Sequence, residues 1–267
     1  MAESEQPPID TSVMHPARRY DYMLGGTTNF AADRAAGDAV LAVYPQARVA
    51  ALENRAFLQR AAHFLAAEAG VRQFLDIGTG IPTSPNLHEV VQSVAPEARV
   101  VYADKDPLVL AHSRALLAGT PEGRTAYLHA DLLDPRRILG SAEVADVLDL
   151  TRPVGLTLMA VVHFLDDATH PYDVVRTLVD ALPPGSYLAM SHMTLDFLPP
   201  DQARQLGAIS TAEGSRLRSR AEFARFFDGL ELVPPGIAVL SEWRRAPGES
   251  PASRADVSGY GAVARIG

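Results

Sequence analysis

Three aspartates stand at intervals that suit one shared task. Asp76, Asp104 and Asp131 are 28 and 27 residues apart, close to the length of one strand–helix unit. Each lies at or near the end of a short apolar run. A carboxylate there would face the crevice where open α/β sheets bind ligands. Gly78–Thr79–Gly80 follows Asp76 almost directly. Two glycines let the backbone turn sharply and approach a ligand closely. His163 and His192 end two later apolar runs, and Tyr20 and Tyr22 stand beside Gly25–Gly26. These four are the candidate bases or acceptor-facing groups, with His163 ahead of the rest. His163 reads first as a helix-capping or core-edge histidine and second as an acceptor-facing base. The chain has no cysteine, which excludes disulfides and thiolate chemistry. No metal site is expected.

The glycine turn narrows the ligand. A dinucleotide fingerprint is Gly-x-Gly-x-x-Gly, but the third position is Thr83, and Pro82 restricts the loop. Asp76 would repel a pyrophosphate. An acidic residue better suits a cationic amine, such as the α-ammonium of S-adenosylmethionine (SAM). The alternative is an ordinary strand–turn–helix junction without a ligand.

The elements that must hold these residues follow from periodicity. Residues 1–13 read as a disordered tail. Residues 17–30 read as a short helix, a tight turn at Gly25–Gly26 and entry into a second helix near Asn29. This segment is either a lid over the site or an arm packed on the body. Residues 31–44 and 47–69 read as helices, with Asn54 and Arg55 facing either the crevice or, by preference, water. Strands are expected at 74–77, 99–102, 125–130, 153–162, 186–191, 230–233 and 259–266. Helices are expected at 86–94, 107–117, 171–181, 201–213 and 220–227, with Asp106 capping the helix that Pro107 opens. Residues 244–254 read as a loop around Pro247 and Pro251. The expected fold is α/β: a Rossmann-like, seven-stranded, mostly parallel sheet with helices on both faces. Residues 14–70 would form an N-terminal helical lid or appendage, and 71–267 the ligand-binding domain.

Net charge is −8 over 267 residues, which argues against a nucleic-acid partner. Arg216, Arg218, Arg220, Arg244 and Arg245 read as solvated surface. No apolar run approaches the roughly 20 residues that span a bilayer, and the N-terminus lacks a secretory pattern. No membrane partner is expected, and the cytoplasm is the default location. Oligomeric state is not legible.

The ordered set of Asp76–Ile77–Gly78–Thr79–Gly80, Asp104 and Asp131–Leu132 resembles the class I SAM-dependent methyltransferase domain over residues 70–267. Arg19–Tyr20–Asp21–Tyr22–Met23–Leu24–Gly25–Gly26, Asn54–Arg55–Ala56–Phe57–Leu58 and Gln73–Phe74–Leu75–Asp76 resemble a bacterial family of proposed SAM methyltransferases, formerly catalogued as a domain of unknown function. The resemblance implies Asp76 near the methionine moiety, with the Gly78–Thr79–Gly80 backbone packed against it. It implies Asp104 on the ribose hydroxyls, and Asp131 with the Leu132 amide at the adenine. Gly25 and Gly26 would belong to the cofactor-covering segment. Ile81–Pro82–Thr83 departs from the class, which often carries a third glycine here. S-adenosylhomocysteine (SAH) would be the product. The Asn/Asp-Pro-Pro-Tyr/Phe signature of amino-nitrogen methylases is absent after the fourth strand. The expected acceptor is therefore a small molecule with an oxygen or nitrogen nucleophile. A SAM-binding sensor, a nicotinamide-dependent oxidoreductase and a pure interaction module remain as alternatives.

Overall fold

A computed structural model describes residues 9–116, 119–246 and 248–267, without the side chains of 114–116. Strands β1 (Gln73–Ile77), β2 (Arg99–Asp104), β3 (Arg124–His129), β4 (Gly155–Met159) and β5 (Tyr187–Met193) run parallel. Two short strands, β6 (Glu231–Leu232) and β7 (Ala238–Val239), precede β8 (Gly259–Arg265), which is antiparallel to β5. The order is β3-β2-β1-β4-β5-β8-β6, with β7 also on β8. β5 pairs along the whole of β8, so β6 and β7 share its other edge, at Arg265–Ala264 and Gly261–Tyr260. The expected seventh strand position is thus split in two, which makes eight strands. The chain reverses direction across the sheet between β1 and β4, the switch point where a crevice opens.

The helices are α1 (Pro16–Met23), α2 (Ala31–Val43), α3 (Ala47–Ala67), α4 (Leu87–Val94), α5 (Pro107–Leu116), α6 (Pro135–Leu139), α7 (Ala142–Val147), α8 (Pro171–Asp180), α9 (Pro200–Ala212), α10 (Arg220–Ala224) and α11 (Arg254–Val257). Asn86 opens α4 through a capping box with Glu89, which satisfies helix-end N–H groups that would otherwise lack partners. Asp106 Oδ1 accepts from Leu108 N at 2.9 Å at the start of α5. The end expected near Leu117 lies outside the described residues, as does Pro247. Helices α6, α7 and α11 and strand β7 were not expected from periodicity; each is six residues or shorter. The tail expected at 1–13 lies outside the described residues up to residue 8. At residue 10 the backbone carbonyl of Asp10 accepts from Arg18 Nη1 at 2.7 Å.

Each face of the sheet carries its own core. On one face Leu75, Val101, Leu156 and Leu188 pack against Ile138, Val144 and Val175. On the other, Phe74, Val100 and Val263 pack against Phe57, Leu65 and Trp243. Phe57 and Leu65 belong to α3, which is therefore part of the sheet's own cover. α3 thus packs in this core N-terminal to the expected boundary at residue 70, while α1 and α2 contribute no residue to either cluster. Among the described residues no helix is long and apolar enough to cross a membrane.

Candidate active site

The carboxyl ends of β1, β2, β3 and β4 open into one cavity of about 240 Å³. Asp76, Gly78, Thr79, Gly80, Asp104 and Asp131 line it together, with Leu132 alongside. It is walled by α1 (Ala17, Arg19, Tyr20, Met23), α3 and α9. His163 lies in it as well. The three aspartates predicted from their spacing thus meet at one site.

Gly78 and Gly80 both adopt the left-handed backbone region, at φ 77° and 70°. Their surroundings differ. A Cβ on Gly78 would stand 2.4 Å from Val161 Cγ2, whereas nothing lies within 4 Å of one on Gly80. Gly78 is needed to pack the β1 and β4 ends together. Gly80 leaves space for a ligand. Gly78→Ala is therefore expected to destabilise the fold by about 1–3 kcal/mol through overpacking alone. Gly80→Ala should cost only the left-handed backbone penalty of about 1–2 kcal/mol yet impair cofactor binding. Thermal unfolding and calorimetry on both variants check this; equal unfolding losses would show that Gly80 is packed too.

Asp104 Oδ2 accepts from Gly80 N at 2.9 Å and Oδ1 accepts from Asp106 N at 2.9 Å. Burial raises its pKa against those two donors. Each carboxylate oxygen keeps a further lone pair for a ligand hydroxyl. Asp131 Oδ1 accepts from Leu133 N at 3.0 Å, so the residue caps its own turn while it also lines the cavity. Asp76 is 4% exposed and accepts a short hydrogen bond from Thr157 Oγ1. Burial pushes its carboxyl up to about 6, against bonds from Thr157 and Thr79.

His163 follows β4 in a single 3-10 turn. Burial, with His192, Arg19 and Arg218 nearby, holds its pKa well below 6.5. It is neutral at pH 7, and its Nδ1 is buried without a partner. Tyr20 donates its hydroxyl to Ala51 O at 3.0 Å and accepts from Asn54 Nδ2 at 2.8 Å. Burial raises the phenol's pKa, so Tyr20 is a wall of the cavity and a poor base.

Several expected site residues sit elsewhere. Tyr22 does not line the cavity; it donates to Asp38 Oδ1 at 2.7 Å and lies under Arg48 at 4.9 Å. Gly25 and Gly26 do not line it either. Gly26 presses on the Asp21 carboxylate, which also accepts from Asn29 Nδ2 at 2.8 Å, so this turn fixes α1 against α2. His192 is buried behind the cavity. Its Nδ1 is 2.7 Å from Met193 O, and burial lowers its pKa to about 3.

Asn54 was expected in water and is instead 4% exposed in the cavity wall. Its Oδ1 accepts from Ser191 Oγ, which in turn accepts from Ala160 N at 2.8 Å. A hydrogen-bonded chain therefore runs from Tyr20 on α1 to the end of β4. It pins Ala160 at φ 51°, a left-handed conformation that a residue with a Cβ keeps only under such constraint. Asn54 falls in phase with Phe57, Leu58 and Ala61 on α3, and a polar residue inside an apolar stripe was the available signal. Arg218 also departs from expectation. It is fully buried, donating to Asp167 Oδ1 at 2.7 Å and Leu165 O at 3.0 Å. It ties down the loop that carries His163. Among the described residues no group of three or more His, Cys, Asp or Glu is placed to hold a metal.

A sheet of this order, with acidic strand ends and a glycine turn around one cavity, defines a class I SAM-dependent methyltransferase. The chain belongs to the S-adenosyl methyltransferase family, whose model matches residues 2–267. It is similar to a DUF574 family protein from Streptomyces avermitilis, at 51% identity over 97% of this chain and 100% of that one, with a TM-score of 0.93. A proposed methyltransferase from Thermobifida fusca is 39% identical over 99% of each chain, with a TM-score of 0.88. Mitomycin 7-O-methyltransferase shares the fold at 19% identity, over 83% of this chain and 56% of that one, with a TM-score of 0.52. No curated protein matches.

The residues present fit the cofactor. The space over Gly80 is open, the acceptor oxygens of Asp104 stand beside it, and the carboxylates suit the cationic and hydroxyl-bearing parts of SAM.

Proposed function

We propose that this methyltransferase acts on the oxygen or nitrogen of a small-molecule acceptor, under a lid formed by α1. The observation that carries the reading is the cavity itself. Three strand-end carboxylates and the Gly78–Gly80 turn form its floor, and Tyr20 and Met23 form its roof. Asp76 would hold the α-ammonium, Asp104 the ribose hydroxyls, and Asp131 with the Leu132 N–H the adenine. When bound, SAM supplies a methyl group already activated on a sulfonium.

The chain's own task is then positioning and exclusion of water. The α1 helix is anchored by Arg18 to Asp106, two residues beyond Asp104. The Tyr20–Asn54–Ser191 chain holds the roof to the floor. Neutral His163 places no positive charge beside a sulfonium, and its imidazole can accept a hydrogen bond from an acceptor hydroxyl. Net charge of −8 supports a free small-molecule acceptor over nucleic acid. Release of SAH in a turnover assay over an acceptor panel tests the reading; no turnover with any acceptor class would favour a sensor instead.

Asp76 gives a pH signature. Its folded carboxyl, at about 6, lies above its unfolded value of 3.8. The native protein therefore holds a proton that the unfolded chain has released. The stabilising effect is complete below 3.8 and is lost as pH rises toward 6, at up to about 1.4 kcal/mol per pH unit. Asp76→Asn is expected to flatten this slope in urea unfolding. A cationic ligand group favours the ionised form, so SAH affinity should rise between about pH 5 and 7. Affinity independent of pH over that window would separate Asp76 from the ammonium.

A further inference from the structure

The cavity has a second end, away from the carboxylates. There α1, α2, α3 and α9 supply Met23, Val40, Tyr44, Ala50, Leu206 and Ile209. Ala47 and Ala51 add no bulk beside Ala50, which leaves a flat wall on α3. Three polar side chains at this end, Tyr44, Arg19 and Glu213, are already engaged. Tyr44 donates its hydroxyl to Asp256 O at 2.7 Å. Arg19 Nη1 meets both carboxylate oxygens of Glu213 at 2.6 Å, so the one cation and the one anion here cancel. Among the described residues, two buried polar atoms of the cavity's lining residues lack a partner, His163 Nδ1 beyond β4 and Ser210 Oγ on α9. Ser210, on the cavity-facing side of α9, is 7% exposed and its hydroxyl has no partner. A buried hydroxyl left unpaired is costly, and a ligand atom at this place would satisfy it.

We propose that this end is the acceptor subsite, and that it takes an uncharged molecule with a flat apolar body and one polar group bonded to Ser210 Oγ. The inference rests on the methyltransferase reading and adds the acceptor's chemical class. A charged acceptor would lose its hydration here and find no free counter-charge. An apolar body replaces water along alanine, leucine and isoleucine surface.

The test uses the full-length protein saturated with SAH. Three probes of one shape are titrated by calorimetry: β-naphthol, β-naphthalenesulfonate and β-naphthylmethylammonium. The neutral probe is expected to bind at least about tenfold more tightly than either charged one. Ile209→Trp, which fills the chamber, should weaken β-naphthol at least about tenfold, and Ser210→Ala a few-fold. SAH binding by each variant, read separately, reports that it is folded. Equal or tighter binding of a charged probe overturns the proposal. So does β-naphthol binding indifferent to Ile209→Trp, or no β-naphthol binding at all in protein that binds SAH. Failure of the wild type to bind SAH is a different result: it removes the cofactor reading, and this subsite with it.

Discussion

Arg18→Met is expected to destabilise the protein by about 3–5 kcal/mol, because it strands a buried carboxylate. Arg18 is 4% exposed, and the Asp106 side chain is fully buried. The pair is bidentate, with Nε to Oδ2 at 2.9 Å and Nη2 to Oδ1 at 3.1 Å. Burial alone would raise the Asp106 pKa; the Arg18 bonds, the Leu108 N–H and His15 outweigh it and hold the carboxyl below its usual value. The pair's contribution is therefore present above pH 3.8 and fades as pH falls below it. Methionine keeps an apolar stem and removes the guanidinium, with its charge, its donors and its place over the Phe30 ring at 5.4 Å. Urea unfolding at pH 7 measures the loss, and SAH affinity should fall with it as α1 loosens. Arg18→Met combined with Asp106→Leu should recover much of the stability, since an apolar pair of similar size avoids the stranded charge. A loss below about 1 kcal/mol would mean that water reaches the pair.

Asp104→Ala is expected to weaken SAH binding by about 1.5–3 kcal/mol, the worth of a hydrogen bond to a charged acceptor. In affinity that is roughly 10- to 150-fold. The same change also removes the partners of the Gly80 and Asp106 N–H groups. Part of the effect would come from a loosened Gly78–Gly80 turn. Asp104→Asn separates the two contributions. It keeps one acceptor oxygen for the turn and loses the charge, so its affinity should fall between wild type and alanine. Calorimetry on folded variants decides; unchanged affinity in either one removes the ribose role.

Periodicity and strand-end chemistry made the sheet legible. β1, β2, β4 and β5 are largely buried runs and β3 is a half-buried edge strand, and the acidic residue near each of the first three is visible beside its turn residues. The five-residue strand β4 was read too long, over 153–162, because Val161 and Val162 continue its apolar run. They belong instead to the turn forced by Ala160 at φ 51°. Nothing local marks that turn; it depends on Ser191, 31 residues away. Arg218 reads as surface beside Arg216 and Arg220, yet three oxygens and His192 Nε2 surround it. Those partners come from two separate segments, 162–167 and the end of β5, which a linear reading does not bring together. Gly25–Gly26 reads as a tight turn in a segment that covers the cofactor. The Asp21 carboxylate and Asn29 instead make that turn a rigid joint. The helical roof was legible as a segment, but its share of the cavity wall depends on long-range pairs such as Arg18–Asp106 and Arg19–Glu213.

A crystal structure of the full chain with SAH tests the central claim most directly. The account predicts the ligand between the Gly78–Gly80 turn and Asp104, with adenine at Asp131–Leu132 and the Tyr20 ring within contact distance, about 4–4.5 Å. SAH bound outside this cavity, or inside it with Tyr20 more than about 10 Å away, would contradict it.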